Sequence, residues 1–125
     1  MKTVNRVILL GYVASEPKDN IFENGHKCVN VSLKTRDFYT SKNEQKVDKN
    51  FHNLIFWNGI GEKVSSVLKK GDTIHVIGHL KNKKIVDKAS NKNYYATEVV
   101  VDEWTKVAEE SEEYLGIDES DFQED

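Results

Sequence analysis

Apolar residues alternate with polar ones, or join β-branched runs, along five segments of the chain, which predicts five β-strands. These segments span residues 3–15, 26–35, 50–58, 72–80 and 94–104. Between the third and fourth, apolar residues from Ile60 to Leu68 recur at i, i+4, i+7 and i+8, which predicts one helix over 59–70. The polar stretches 36–50 and 82–93 are predicted to be loops. Turn density together with alternation favours a small, closed antiparallel barrel.

The third predicted strand, "NFHNLIFWN", carries large apolar groups on both of its faces. Leu54 and Phe56 share one face with His52, whereas Phe51 and Trp57 share the other. A half-buried strand is expected to be apolar on one face only. In a domain of this size one face joins the core, so Phe51 and Trp57 need another cover. Candidates are a ligand, a second apolar layer or a subunit interface.

Charge divides the chain into two parts. All 18 lysines and arginines lie within residues 1–107, with 12 of the 21 acidic residues, so this part carries a formal charge of +6. Residues 108–125 hold the other 9 acidic residues and no basic ones, which gives −9. The sequence therefore predicts one folded domain over 1–107 and a disordered acidic tail over 108–125. A basic body of this kind favours a charged partner such as nucleic acid.

Several classes of protein are disfavoured by what the sequence contains. No run of 18 apolar residues occurs, so no membrane span is predicted. Cys28 is the single cysteine, which excludes an internal disulfide, predicts a small buried residue and fits a reducing, cytoplasmic location. His75 and His79 would stand roughly 13 Å apart on a strand, too far for one metal ion. Neither a phosphate-binding loop nor a nucleophile elbow is present. We therefore expect no catalytic residue, metal or cofactor.

Three strands, one helix and two strands are the order of an OB-fold, an all-β, five-stranded Greek-key barrel that binds oligonucleotides. Aromatic residues lie among lysines in both predicted loops, since Tyr39 and Phe51 flank the first and Tyr94 and Tyr95 follow the second. Aromatic rings stack on bases and lysines contact phosphates, so this mixture predicts a surface for single-stranded nucleic acid. The alternative is that these aromatic residues cover a second apolar layer or a subunit interface.

Four ordered motifs resemble the bacterial and phage single-stranded DNA-binding proteins. They are "VNRVILLGYV", "VNVSLKT", "NFHNLIFWNGIGEKVSSVLKKGDTIHVIGHLK" and "YYATEVVVDE", and they cover most of residues 4–104. The resemblance implies a non-enzymatic protein that binds and protects single-stranded DNA during replication, recombination or repair. The alternative is a primosome-type OB-fold adaptor that acts mainly through protein–protein contacts. A response of Trp57 fluorescence to single-stranded DNA alone would separate the two.

Particular residues are assigned roles on these grounds. The predicted base-stacking residues are Tyr39, Phe51, Trp57 and Tyr95. The predicted phosphate ligands are Arg6, Lys34, Lys49, Lys70, Lys81 and Lys83. Ile85 departs from the family, which often has a fourth stacking aromatic there, so binding along the last two strands is weakened unless Tyr94 or Tyr95 compensates. His52 matches a position near the subunit contact of family tetramers, which implies a homo-oligomer, a dimer or a tetramer.

The acidic tail resembles that of the family in charge but not in its ending. Bacterial members usually reach a terminal apolar residue through a long linker, whereas here Phe122 is followed by three polar residues and no such linker precedes it. A compact, phage-type arrangement is therefore expected. The predicted partner-binding residues, for replication or recombination proteins, are Tyr114, Leu115, Ile117, Asp118, Asp121 and Phe122.

Overall fold

The computed structural model describes residues 1–108, in which six strands form one sheet that closes into a barrel. In chain order the elements are β1 (Val7–Val13), β2 (Lys18–Ile21), β3 (Lys27–Ser41), β4 (Glu44–Trp57), α1 (Asn58–Gly61), α2 (Val64–Val67), β5 (Thr73–Asp87) and β6 (Lys92–Val107). The barrel is closed because β1 pairs with both β3 and β5, and β2 extends the same edge of β3. The closed ring itself has five strands, because β2 only adds to its edge, and the helical segment lies between β4 and β5, the third and fourth strands of the ring in chain order. The predicted five-stranded barrel is therefore confirmed.

One pair of strands departs from the predicted antiparallel arrangement. β4 and β6 pair in parallel, with Leu54 opposite Val99 and Ile55 opposite Val100, whereas the other ladders are antiparallel. The predicted antiparallel arrangement therefore holds for every ladder of the described residues except this one. The reason is geometric, since strand directions cannot alternate at every step around a closed ring with an odd number of strands.

The core fills the barrel with side chains from one face of each strand. Val29, Val31 and Leu33 of β3 are buried, as their alternation predicted. Leu54 and Phe56 of β4 are fully buried beside them, and the ring of Phe56 meets Trp104 edge to face with centroids 5.9 Å apart. Burying a side chain of this size contributes about 1.5–3 kcal/mol. His52, Leu54 and Phe56 therefore belong to the interior face, as the strand pattern indicated.

The helical segment is shorter than predicted, because two single turns, α1 and α2, replace one helix over 59–70. Gly59 and Gly61 lie in the first turn, and glycine lowers helix stability by about 1 kcal/mol per residue. Two residues of the predicted stripe, Val64 and Leu68, are buried against the barrel, whereas the other two, Ile60 and Val67, are 40% and 39% exposed.

The two stretches predicted to be loops, 36–50 and 82–93, are instead arms of long hairpins. β3 and β4 stay paired as far as Ser41 and Glu44, and the two residues between them have φ of 52° and 63°, which suits a type I′ turn. β5 and β6 stay paired as far as Asp87 and Lys92. These arms carry polar residues on both faces, so they lack the alternation that marks a half-buried strand.

Two glycines permit the close approach of strands where the barrel bends. A Cβ atom at Gly11 would collide with the carbonyl oxygen of Lys34, and one at Gly78 would collide with that of Val100. Gly78 also lies at the register shift between β5 and β6. Glycine within a strand commonly marks such a bulge or bend. Both positions therefore help to close the sheet around the core.

Candidate nucleic-acid interface

The register of β3 and β4 sorts their side chains into two faces, because directly paired residues of an antiparallel ladder lie on the same side. One face holds the core residues described above. The other, here called the outer face, consists of the pairs Cys28–Trp57, Asn30–Ile55, Ser32–Asn53, Lys34–Phe51, Arg36–Lys49 and Phe38–Val47. The register therefore places Phe51 and Trp57 away from the core, as the sequence predicted.

The acidic residues of the β3–β4 arm are confined to one of its two faces. The outer face carries three cations, Lys34, Arg36 and Lys49, and none of the pairs that define it contains an acidic residue. On the opposite face Asp37 and Asp48 stand directly across from each other. Like charges in that arrangement destabilise a sheet, so folding alone does not favour this distribution. The outer face is instead suited to an anionic ligand.

Aromatic rings lie in contact with these cations. The Nζ atom of Lys34 is 5.9 Å from the ring centroid of Phe51, a cation–π distance. Phe51 is still 47% exposed, whereas Lys34 is almost fully buried at 1%. The ring is thus held at the surface by a neighbour of defined position, and much of it stays accessible to a ligand.

Trp57 is partly covered by a residue that the sequence did not indicate. Its indole lies 5.5 Å from the ring of Phe22, with an angle of 28° between the two planes. Phe22 sits in the turn between β2 and β3, where its N–H donates to the carbonyl of His26 and its own carbonyl accepts from Gly25. Asn24 and Gly25 lie in this turn, and Asn-Gly is a common hairpin-turn sequence.

The β5–β6 arm continues the outer face, since Ile55 is opposite Val100 and side chains alternate from there. Lys81, Lys83 and Ile85 lie on the outer face, opposite Glu98, Ala96 and Tyr94 respectively. Tyr95 is opposite Lys84, on the other side of the arm. The exposed aromatic that shares a face with the predicted lysines and with Ile85 is therefore Tyr94.

The remaining predicted residues are more scattered. Tyr39 pairs with Lys46, which places it on the face opposite Phe51. Arg6 is exposed immediately before β1. Lys70 lies in the connection between α2 and β5, and its backbone N–H donates to the Glu16 carboxylate at 3.3 Å. The structure thus groups Phe51, Trp57 and four of the predicted lysines, but it does not bring Tyr39, Tyr95 or Lys70 onto the same face. The predicted tail residues lie outside the described part of the chain.

His52, the predicted oligomer contact, is half-buried beside Thr35, with 2.9 Å between its Nε2 atom and the Thr35 hydroxyl. Burial lowers the pKa of His52, and the nearby Asp37 carboxylate opposes that shift. The neutral ring is therefore favoured in the folded chain.

Sequence reasoning missed two contributors to the outer face besides Phe22. Arg36 and Phe38 fall on it because the predicted loop over 36–50 is a paired arm. If the strands are assumed to meet at a two-residue turn at Lys42 and Asn43, the alternation of side chains from Phe51 places Arg36 and Phe38 on the same face. The polar character of the arm obscured that signal.

Chemical sites of other kinds are not supported by the described residues. Within residues 1–108 no three His, Cys, Asp or Glu side chains come together to hold a metal ion. No helix in that same range is long and apolar enough to cross a membrane. Cys28 is buried at 4% exposure, as predicted, and this burial raises the pKa of its thiol.

Comparison with known proteins places this architecture in a family. The family model "Single-strand binding protein family" matches residues 4–107. Single-stranded DNA-binding protein 1 of Xylella fastidiosa (strain 9a5c) is 33% identical over 107 residues, which are 82% of this chain and 76% of that protein.

Two solved structures share the fold. The Plasmodium falciparum SSB complex with ssDNA aligns with a TM-score of 0.76 at 24% identity, covering 86% of this chain and 98% of that one. A deletion mutant of the single-stranded DNA binding protein from Thermus aquaticus aligns with a TM-score of 0.72 at 19% identity, covering 84% and 51%. Since the family model spans most of the described residues, the chain belongs to the single-strand binding protein family.

Proposed function

We propose that this chain binds single-stranded DNA without sequence preference and protects it. The observation that carries the proposal is the outer face of the β3–β4 arm, where cations lie beside exposed rings and no acidic residue is present, whereas the acidic residues of the arm lie on the opposite face. Stacking is tolerant of sequence because every base has a π-face, while cations follow the phosphates. Membership of the family supports the same function, and one structural neighbour is a complex with single-stranded DNA.

In this proposal Phe51 and Trp57 are the principal stacking platforms, with Phe22 supporting Trp57 from one side. Lys49, Lys81 and Lys83 contact phosphates from the outer face, and Lys34 holds the ring of Phe51. Arg6 and Lys70 contribute charge from outside the outer face, and Tyr39 and Tyr95 stack on nucleotides that wrap around the edges of the arms to their opposite faces. No bond is made or broken, so the protein protects the single strand simply by binding to it. Duplex DNA binds weakly because its bases are already stacked and paired.

The wider role of the protein follows from that activity. Exposed single strands arise in replication, recombination and repair, and we place the chain there, in the cytoplasm of a bacterial cell or phage-infected host. The acidic residues 108–125, with apolar side chains among them, recruit partner proteins of these processes.

A homo-oligomer is also proposed. Ile8 and Leu10 of β1 are each 59% exposed and lie on the same side of the strand, an apolar surface suited to a second copy. His52 lies at the base of the β3–β4 arm, where the resemblance places a subunit contact. Sedimentation velocity should give a dimer or tetramer, and a monomer at micromolar concentration would refute the assembly.

The function itself is tested by equilibrium titration of the protein with fluorescently labelled poly(dT) and with a duplex of the same length. We expect saturable binding of the single strand and much weaker binding of the duplex, because only the single strand offers free base faces. Equal affinity for both would leave phosphate contact as the sole interaction and contradict the proposal.

Truncation after Val107 should tighten DNA binding at low salt. The tail carries −9 against +6 for residues 1–107, and a coil of its length extends about 20–25 Å, roughly the diameter of a small domain. It can therefore compete with DNA for the outer face as a tethered polyanion. Salt screens such contacts, since the Debye length is about 8 Å at physiological ionic strength. Titrations of both forms with poly(dT) at low and high salt measure the effect.

The expected pattern is a gain in affinity that disappears as the salt concentration rises. Neutralising the tail by Asp→Asn and Glu→Gln changes, with its length kept, is the matched control and should reproduce the gain. Identical binding by the full-length and truncated proteins at low salt would show that the tail does not compete, leaving it a role in partner recruitment alone.

A further inference from the structure

The β2–β3 hairpin extends the outer face beyond Trp57. Cys28 is opposite Trp57 on one side and opposite Asn20 of β2 on the other. Directly paired residues of an antiparallel ladder share a side, so Asn20 lies on the outer face, and Lys18, two residues earlier, lies there too. Asp19 stands between them and is directed to the opposite side. The acidic residue of β2 is thus kept off the outer face, so an anionic strand that reaches Trp57 can continue onto this hairpin.

The ring of Phe22 lies at the end of this extension, directly after β2. Its centroid is 5.5 Å from that of Trp57, and the two planes are inclined by only 28°. Phe22 is nevertheless 43% exposed. A stacked neighbour covers one face of a phenyl ring, so the exposed surface belongs to its other face and its edge. Phe22 therefore offers a second flat surface beside Trp57, displaced toward the hairpin turn.

The turn that carries this ring is held in place by the residue that follows Trp57 in the chain. The Oδ1 atom of Asn58 accepts a hydrogen bond from the backbone N–H of Lys27 at 3.2 Å. The Nδ2 atom of the same side chain lies 3.3 Å from Nδ1 of His26. One residue thus ties the hairpin to the end of β4, which fixes Phe22 and Trp57 relative to each other. Rings that are already positioned lose little freedom when a ligand binds, and this favours affinity.

We propose that Phe22 is a further base-stacking residue, which takes a base of the single strand beyond the one at Trp57. The DNA path follows the outer face of β4 from Phe51 to Trp57 and leaves that strand at the hairpin turn. Glu23 comes next in the turn and is exposed, and its carboxylate disfavours a phosphate beyond the ring. Phe22 is therefore the last stacking position on this side of the barrel. The site rests on the proposed function, because it extends the same DNA path.

Replacing Phe22 with leucine tests the site, since leucine keeps an apolar side chain against Trp57 but has no flat face. Phe22→Leu should bind a long oligo(dT) about 5- to 150-fold more weakly, the loss expected when one base–aromatic stack is removed. Phe22→Tyr keeps the ring and should bind like the wild type. Ile21→Ala is the matched control, because Ile21 is 72% exposed and pairs with Lys27 on the side away from the outer face. Equal losses in Ile21→Ala and Phe22→Leu would indicate a general disturbance of the hairpin and overturn the site.

A bracing role of Phe22 would give a different pattern in a double-mutant cycle. If Phe22 only holds Trp57 in position, its replacement has no effect once the indole is gone. Phe22→Leu is therefore also introduced into the Trp57→Ala protein. A further loss of at least about 5-fold in that background supports a base at Phe22 itself. A smaller loss, or none, overturns the site and leaves Phe22 as a support for Trp57.

Photocrosslinking gives a readout on the wild-type protein, which does not depend on the folding of any variant. The protein is irradiated with a bromodeoxyuridine-substituted oligo(dT), and the crosslinked peptides are identified by mass spectrometry. A crosslink at Phe22 supports the site, whereas crosslinks confined to other residues overturn it. Failure of the wild type to bind any oligonucleotide would instead refute the proposed function itself. Normal binding by the wild type with no contribution from Phe22 would refute this site alone.

Discussion

Replacing Phe51 and Trp57 together with alanine should weaken the binding of poly(dT) by about 2–6 kcal/mol, at least about 30-fold in affinity, because each base–aromatic stack contributes about 1–3 kcal/mol. The two rings stand six residues apart on β4, roughly 20 Å, so their effects should be nearly additive. Neither side chain belongs to the hydrophobic core cluster, and Phe51 is 47% exposed. The loss should therefore appear in affinity rather than in stability.

Phe56→Ala is the matched control for that pair, because Phe56 precedes Trp57 but faces the core and is fully buried. Its replacement should lower the free energy of unfolding by about 3–5 kcal/mol, without removing a stacking surface. Thermal melts and poly(dT) titrations of both variants separate the two roles. If the double variant lost stability like Phe56→Ala and its folded fraction bound DNA normally, Phe51 and Trp57 would be structural residues and the proposed interface would be wrong.

Raising the salt concentration fourfold should weaken binding by about 100-fold. Five predicted phosphate ligands are at least partly exposed, namely Arg6, Lys49, Lys70, Lys81 and Lys83. Each phosphate neutralised on a single strand adds about −0.7 to the slope of log affinity against log salt, so five contacts give a slope of about −3.5. Lys34 is left out of this sum because it is buried against Phe51. Titrations with poly(dT) at about 50 mM and about 200 mM salt measure this slope.

Single neutral variants locate these contacts. Lys83→Gln should make the slope shallower by about 0.7 without creating a base preference, because a phosphate contact carries no sequence information. Lys63→Gln removes an exposed charge at the helical segment, away from both arms, and should leave the slope unchanged. A slope near zero in the unmodified protein would contradict an electrostatic interface, and equal changes in both variants would indicate only a general effect of net charge.

The barrel could be predicted from the sequence because its strands bury one face. Val29, Val31 and Leu33 alternate with polar residues, and the stripe through Val64 and Leu68 marks the residues that close the barrel. Such patterns reflect the removal of apolar surface from water, which is the largest favourable contribution to folding. Where that contribution is present, pattern and structure agree. The parallel contact of β4 with β6 has no local pattern, because it follows from closing the ring.

The arms could not be predicted in the same way, since they project from the barrel and bury neither face. Their strand structure comes from backbone pairing and from the tight turn at Lys42 and Asn43, and the sequence there is mostly polar. Because the arms were not predicted, the sequence assigned the wrong aromatic residue to the outer face. A resemblance selects Tyr39, but the register places Phe38 on the face of Phe51. A shift of one residue moves a side chain to the other face, so only a known register can distinguish the two.

The same holds for the second arm. Ile85 replaces the aromatic residue that the family often carries, and its partner on β6 is Tyr94 rather than Tyr95. Tyr94 is 52% exposed and lies on the same face as Lys81 and Lys83. The ring of Tyr94 is therefore available for stacking beside Ile85, on the neighbouring strand.

The fluorescence of Trp57 during titration with single-stranded and duplex DNA tests the central claim most directly. The chain has two tryptophans, and Trp104 packs edge to face on Phe56, so a Trp104→Phe variant leaves Trp57 as the single reporter. Stacking of a base on the indole should change its emission saturably with poly(dT), and high salt should reverse the change. A duplex of the same length should produce little response. If labelled poly(dT) bound while the emission of Trp57 stayed constant, or if duplex DNA gave an equal response, bases would not stack on the outer face and the account would be contradicted.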